Sequence, residues 1–143
     1  MRQSKFQIYL AGACKNLSYE EANKWRGECQ NWATWHEDVY VYNPNDFYNY
    51  WDKIPPSASI CMQTFISQLK TSDLVLVNLD GSAGSVGTGI EVSIAHGLGI
   101  PVIGFVDSNE DVYEWTALMC DEVYDSADLN DILNNIYKIR VEG

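Results

Sequence analysis

Leu74-Val75-Leu76-Val77-Asn78-Leu79 leads through Asp80 into Gly81-Ser82-Ala83-Gly84-Ser85-Val86-Gly87-Thr88-Gly89, and then into Ile90-Glu91-Val92-Ser93-Ile94-Ala95-His96-Gly97. The first six residues are nearly all apolar, as in a parallel strand covered on both faces. The last eight have helical spacing up to a glycine stop. Between them, the repeated glycines let a ligand approach the backbone closely. A strand, a Gly-rich loop and a helix start in succession offer unhindered N–H groups and the positive end of a helix dipole, which suit a phosphate or a sugar hydroxyl. Glu91 sits about one turn inside this helix, where its side chain points back toward the N-terminus and the cleft. A carboxylate there can serve as nucleophile, base or ribose clamp; the plainer reading is that it complements the dipole while the glycines make a tight turn.

Working outward, Phe6 to Leu10 forms a first strand ending in the small-residue loop Ala11-Gly12-Ala13-Cys14. Ser18-Tyr19-Glu20-Glu21 has the form of a capping box, followed by Ala22, Trp25, Cys29, Trp32 and Ala33 at helical spacing, so a helix is expected over about 19 to 36. Val39 to Tyr42 makes a second strand, stopped by Asn43-Pro44-Asn45-Asp46. Phe47 to Pro56 reads as an aromatic loop, after which Ser57 or Ser59 caps a helix carrying Cys61, Phe65 and Leu69. Pro101 to Val106 and Glu122 to Tyr124 supply the fourth and fifth strands, Asp107 to Cys120 is ambiguous, and Ser126 opens a last helix. Alternating strands and helices imply right-handed crossovers and a parallel sheet between helical layers. The expected order is 2-1-3-4-5, with the ligand outside the carboxyl ends of strands one and three. Tyr9 to Lys15 then lies beside Asp80 to Glu91.

The 143 residues suffice for one such domain, spanning 1–143, and 46% hydrophobic content excludes intrinsic disorder. Nine Lys and Arg against 20 Asp and Glu leave a formal charge of −11. That balance argues against a nucleic-acid polymer or a membrane surface as partner, since both attract basic proteins. Cys14, Cys29, Cys61 and Cys120 have no CxxC spacing and no zinc-like pairing with His36 or His96, so no metal is expected. Neither a signal-peptide core nor a membrane-length apolar run is visible, which reads as a cytoplasmic protein with free thiols.

Other chemistry-bearing residues have plainer readings. Cys14 is a small loop residue, and both His36 and His96 are ordinary helix-end histidines. Tyr42, Phe47, Tyr48, Tyr50 and Trp51 can stack a nucleobase or pack in a core or oligomer contact. Asp107, Glu110, Asp111 and Glu114 form a solvated acidic loop.

The runs Ile8 to Gly12, Ser72 to Gly81, Gly87 to Ala95 and Gly99 to Gly104, in that order, resemble the nucleoside 2-deoxyribosyltransferase-like family over roughly residues 6 to 105. The resemblance implies a Rossmann/flavodoxin-like three-layer α/β sandwich that cleaves or exchanges the N-glycosidic bond of a nucleoside or nucleoside 5′-monophosphate without a cofactor. Glu91 matches the family's catalytic glutamate, which attacks the anomeric carbon to give a covalent glycosyl-enzyme. Tyr9 is its expected orienting partner and Asp80 a candidate acid/base. Gly12, Lys15, Ser85, Gly87 and Thr88 are the expected substrate-binding residues. Relatives form dimers or larger assemblies, so a homodimer or higher homo-oligomer is expected, with Phe47 to Trp51 as a contact.

Two departures from the family pattern refine this. Transferases usually carry an aspartate six residues before the glutamate, where this chain has Ser85. Ser85-Val86-Gly87-Thr88-Gly89-Ile90-Glu91 instead looks like the nucleoside-monophosphate hydrolase branch, to which Lys15 also corresponds. Phe65 stands where family members often have an aspartate that handles the leaving base's proton, leaving Asp80 or Asp46 to replace it. Two alternatives accompany the main reading: a non-catalytic nucleotide sensor, and a lysine-decarboxylase-like phosphoribohydrolase, whose loop resembles Val86 to Glu91 without its Pro-Gly-Gly lead-in.

Overall fold

The structure is a computed structural model that describes residues 5–47 and 58–143. Five parallel strands, β1 (Phe6–Gly12), β2 (Val39–Tyr42), β3 (Leu74–Asn78), β4 (Val102–Phe105) and β5 (Glu122–Tyr124), lie in the order β2-β1-β3-β4-β5. The expected order is therefore observed. Alternation along each strand divides the interior into two cores. Ile8, Leu10, Leu74, Leu76, Ile103 and Phe105 face Trp25, Cys29 and Trp32 of helix α1 (Tyr19–Ala33) and Leu129, Ile132, Leu133 and Ile136 of α5 (Leu129–Ile136). Tyr9, Ala11, Val75, Val77 and Val102 face the other layer, where α2 (Ala58–Lys70) brings Leu69 and α3 (Val86–Gly97) brings Val92 and Ala95. Strand parity thus turns Tyr9 toward α3, while its neighbours Ile8 and Leu10 turn away.

Ser18 and Glu21 form the expected reciprocal cap, with Glu21 N–H to Ser18 Oγ at 3.1 Å and Ser18 N–H to Glu21 Oε1 at 3.0 Å. The segment left ambiguous contains a short helix, α4 (Glu114–Leu118). Asp128 rather than Ser126 caps α5, accepting from Asp131 N–H at 3.1 Å, while Ser126 Oγ accepts from Asp128 N–H. The Gly-rich segment is also shorter than its composition suggests. Ser82–Gly84 makes a 3-10 turn, and α3 starts at Val86 behind the N-cap Ser85, so Gly87, Thr88 and Gly89 belong to its first turns. A Ser cap outweighs the weak helix propensity of two glycines here, because α3 packs Val92 and Ala95 into the core.

The expected features at Tyr48, Tyr50, Trp51 and Ser57 lie outside the described residues. Ser59 falls within α2. Phe47 stacks on Tyr42 with ring centroids 5.3 Å apart. Among the described residues no helix is long and apolar enough to cross a membrane, and all four cysteines are unpaired.

Because α1 carries a buried arginine to the sheet, as shown below, its capping matters beyond helix propensity. Ser18→Ala should lower stability by about 1 kcal/mol in urea unfolding without changing the m-value.

Candidate active site

Beyond the carboxyl end of β1, a cavity of about 530 Å³ opens between the β1 loop, the turn after β2, α1, α2 and the start of α3. Gly12, Lys15, Ser85, Gly87, Thr88 and Glu91 all line it. These six sequence candidates are therefore brought together. Tyr9, fully buried, reaches the same point from below, its hydroxyl donating to Glu91 Oε2. Parity of β1 aims this phenol at α3, and its ring stacks on Tyr42 at 5.5 Å. Ser85 Oγ accepts from Thr88 N–H at 3.3 Å and shares a 2.7 Å hydrogen bond with Thr88 Oγ1, which holds the first turn of α3 toward the cavity.

Asp80 lies elsewhere. Its Oδ2 accepts from the amides of Asp107 and Ser108 at 2.9 and 3.0 Å, and its Oδ1 from Asn109 at 3.0 Å. Its side chain thus fastens the loop after β4 and is not among the cavity lining. Asp46, the other suggested acid, accepts from Gln30 Nε2 at 2.6 Å and is likewise not in the lining. Cys14 does line the cavity, with its sulfur 3.5 Å from Asn45 Nδ2. Helix α1 ends at Ala33, short of the expected 36, so His36 lies beyond it and packs against Trp32 at a centroid distance of 3.9 Å, whereas exposed His96 lies in the last turn of α3 as expected. Asp107, Glu110, Asp111 and Glu114 are all exposed.

Arg26 is a cavity residue that the sequence reading did not single out. It is 2% exposed and lines the cavity. Its guanidinium donates to the backbone carbonyls of Ala22 and, at 2.8 Å, Gly12, and its central carbon lies 4.8 Å from the centroid of Trp25. Among the described residues its Nε has no partner. A signal was present: Ala22, Arg26 and Cys29 lie three and four apart beside Trp25, so a cation occupies the apolar stripe of α1. Gly12 makes room for it, since a Cβ there would stand 2.9 Å from Trp25 Cζ2 and 3.4 Å from Arg26 Nη2.

Burial dominates the electrostatics. It pushes Glu91 from the ordinary 4.5 up to about 7, although the Tyr9 hydrogen bond and the Arg26 charge both act in the opposite direction. Tyr9 is raised well beyond the usual phenol range, first by burial and then by the Glu91 charge, so it remains a hydrogen-bond donor. Among the described residues, the cavity lining presents the Glu91 carboxyl group, poised near neutrality, together with Lys15 and Arg26.

This carries a stability cost with a definite sign. An unfolded Glu91 titrates near 4.5 and the folded one near 7, so between these values the folded state binds more protons and stability falls as pH rises. Glu91→Gln should therefore match the parent below about pH 4 and exceed it increasingly up to pH 7, then hold a constant lead of up to about 3 kcal/mol. Paired denaturant titrations between pH 4 and 9 measure that difference.

Comparison with known proteins bears on the family and the fold. The family model for nucleoside 2-deoxyribosyltransferase matches residues 8–135. A search of curated proteins returns no match. A conserved protein from Enterococcus faecalis V583 superposes with a TM-score of 0.74 at 17% identity, covering 94% of this chain and 99% of its own. The 2-deoxyribosyltransferase of Bacillus psychrosaccharolyticus gives 0.70 at 18% identity, over 90% of both chains. The CMP N-glycosidase BcmB of Clostridium botulinum gives 0.57 at 15% identity, over 91% of this chain and 97% of its own. At such identities the structural likeness establishes the fold, whereas the family match spans most of the sequence: the chain belongs to the nucleoside 2-deoxyribosyltransferase family.

Proposed function

We propose that the protein cleaves the N-glycosidic bond of a nucleoside 5′-monophosphate or nucleoside, with Glu91 as the nucleophile. The observation that carries this reading is the Glu91 carboxylate at the cavity, held by Tyr9 and accompanied by the buried Arg26. One Glu91 oxygen attacks the anomeric carbon as the bond to the base breaks, and water or a second base then releases the sugar from the ester. Tyr9 donates to Oε2 and fixes the orientation of the carboxylate. The first turn of α3, with Ser85, Gly87 and Thr88, and the ammonium of Lys15 suit a 5′-phosphate. Arg26 supplies the buried positive charge that balances Glu91 and an anionic substrate.

Ser85 at the transferase aspartate's position favours hydrolysis over base exchange. With this activity goes the rest of the sequence reading: a cytoplasmic homodimer or larger homo-oligomer acting on a small molecule. A nucleotide sensor is the second reading, favoured by Phe65 in the cavity wall.

Incubating the protein with nucleosides and monophosphates, with and without a second free base, separates these readings by chromatography. Released base without an acceptor is expected. A new nucleoside formed only with an acceptor would indicate transfer, and binding without turnover a sensor. Glu91→Ala should reduce turnover by on the order of 10³-fold or more; wild-type turnover in that variant would exclude Glu91 as nucleophile. Because the attacking group must be ionised, kcat/KM should rise with pH through about 7.

A further inference from the structure

Lys15 and Arg26 both line the cavity but stand at different depths. Lys15 is exposed on the loop after β1, whereas Arg26 is 2% exposed on the face of α1 that packs on the sheet. The main chain fixes its guanidinium, which donates to the carbonyls of Ala22 and, at 2.8 Å, Gly12, and lies 4.8 Å from the Trp25 ring centroid. Neither donation goes to Glu91, whose Oε2 accepts from Tyr9. For a nucleophile this separation is useful. A guanidinium forked onto a carboxylate keeps it charged but occupies the lone pairs that must attack. A cation held apart favours the ionised form across a medium of low dielectric and leaves the attacking oxygen free. Among the described residues, the ionisable groups around Glu91 are Tyr9 of β1, Tyr42 of β2, Arg26 of α1, Cys61 of α2, and Cys14 and Lys15 of the β1 loop. Glu114 of α4 is exposed, His96 lies in the last turn of α3, and β3 and β4 carry no ionisable residue. Of these groups, Tyr9 and Arg26 favour the Glu91 carboxylate against its burial, and Glu91 in turn favours the charged form of Arg26.

We infer, on the basis of the glycosidase reading above, that Arg26 is a positioning residue for the nucleophile: anchored on Gly12 and Ala22, it keeps Glu91 in its attacking form through space. Of the two charges that Arg26 can balance, that of Glu91 is the one that governs turnover, and a 5′-phosphate falls to Lys15 and the first turn of α3. The two partners of Glu91 then divide the work. Tyr9 directs one oxygen by a hydrogen bond, and Arg26 supplies charge without contact. Gly12 serves the same end, since a Cβ there would press on Trp25 and on the guanidinium.

The test titrates Glu91 directly and then follows turnover. In protein carrying ¹³C at the glutamate side-chain carboxyl carbons, the Glu91 signal is the one absent from Glu91→Gln. Arg26→Gln removes the charge but keeps a donor for the Gly12 carbonyl; Arg26→Lys keeps a charge and loses the planar fork. The Glu91 midpoint should rise from about 7 by about one pH unit or more in Arg26→Gln and stay nearer the parent in Arg26→Lys. Arg26→Met, with the same loss of charge, replaces Arg26→Gln should that variant not fold. For a displacement of one unit, kcat/KM of the neutral variant should fall about fivefold at pH 7 and be mostly restored at pH 9, where Glu91 is ionised in both proteins. Loss of a phosphate ligand would not recover in this way. An unchanged midpoint in the neutral variant, an equal displacement in Arg26→Lys, or a kinetic loss that persists at pH 9 would overturn the inference and leave Glu91 as the nucleophile. Absence of base release by the wild-type protein would instead overturn the glycosidase reading, and the titration alone would still decide whether Arg26 sets the charge of Glu91.

Discussion

The hydrogen bond from Tyr9 to Glu91 joins the sheet to α3, and the rest of the site is arranged around it. For it to form, β1 must present Tyr9 rather than Ile8 or Leu10 to the α3 layer, which requires the strand's register with β3. A shift of one residue would reverse every side chain of β1 and send the phenol into the α1 and α5 layer. The bond also requires α3 to begin at Val86, since a later start would change the direction in which Glu91 projects. Ser85 secures that start by accepting from Thr88 N–H. Fold, register and capping therefore converge on a single contact.

Arg26 supplies the opposite charge. A buried guanidinium is costly unless its donors are satisfied, and two backbone carbonyls, one of them Gly12 at the end of β1, provide for it in part. The absence of a side chain at Gly12 is what allows Trp25 and Arg26 to approach the strand end. The net result is a carboxylate whose protonation is balanced between burial, which opposes ionisation, and a phenol and a cation, which favour it. Destabilisation of this kind is characteristic of sites whose residues are selected for chemistry rather than for folding.

Much of this architecture was legible along the chain. The apolar run Leu74 to Leu79, the alternation of strands and helices, and the capping box at Ser18 led to the observed strand order. Glu91 and the residues of the first turn of α3 were visible because a strand followed by small residues and a helix has few alternative uses. Asp80 was less well read. Its position just after β3 places it near the cleft in sequence, but its carboxylate turns to the amides of residues 107–109, a loop 27 to 29 residues distant. Local pattern carries no information about such a partner.

Arg26 shows the same limit from the other side. In sequence it is one charged residue on a helix, and charged residues on helices normally face water. Only packing α1 against the sheet turns it inward, because Ala22, Trp25 and Cys29 around it must be buried. The sequence by itself determined the five strands and their order, since these follow from periodicity, capping and crossover handedness. The tertiary structure decided which charges share the cavity and how Glu91 titrates. Burial and electrostatic coupling arise from distances between residues far apart in the chain, and these exist only once the sheet and its helices are assembled.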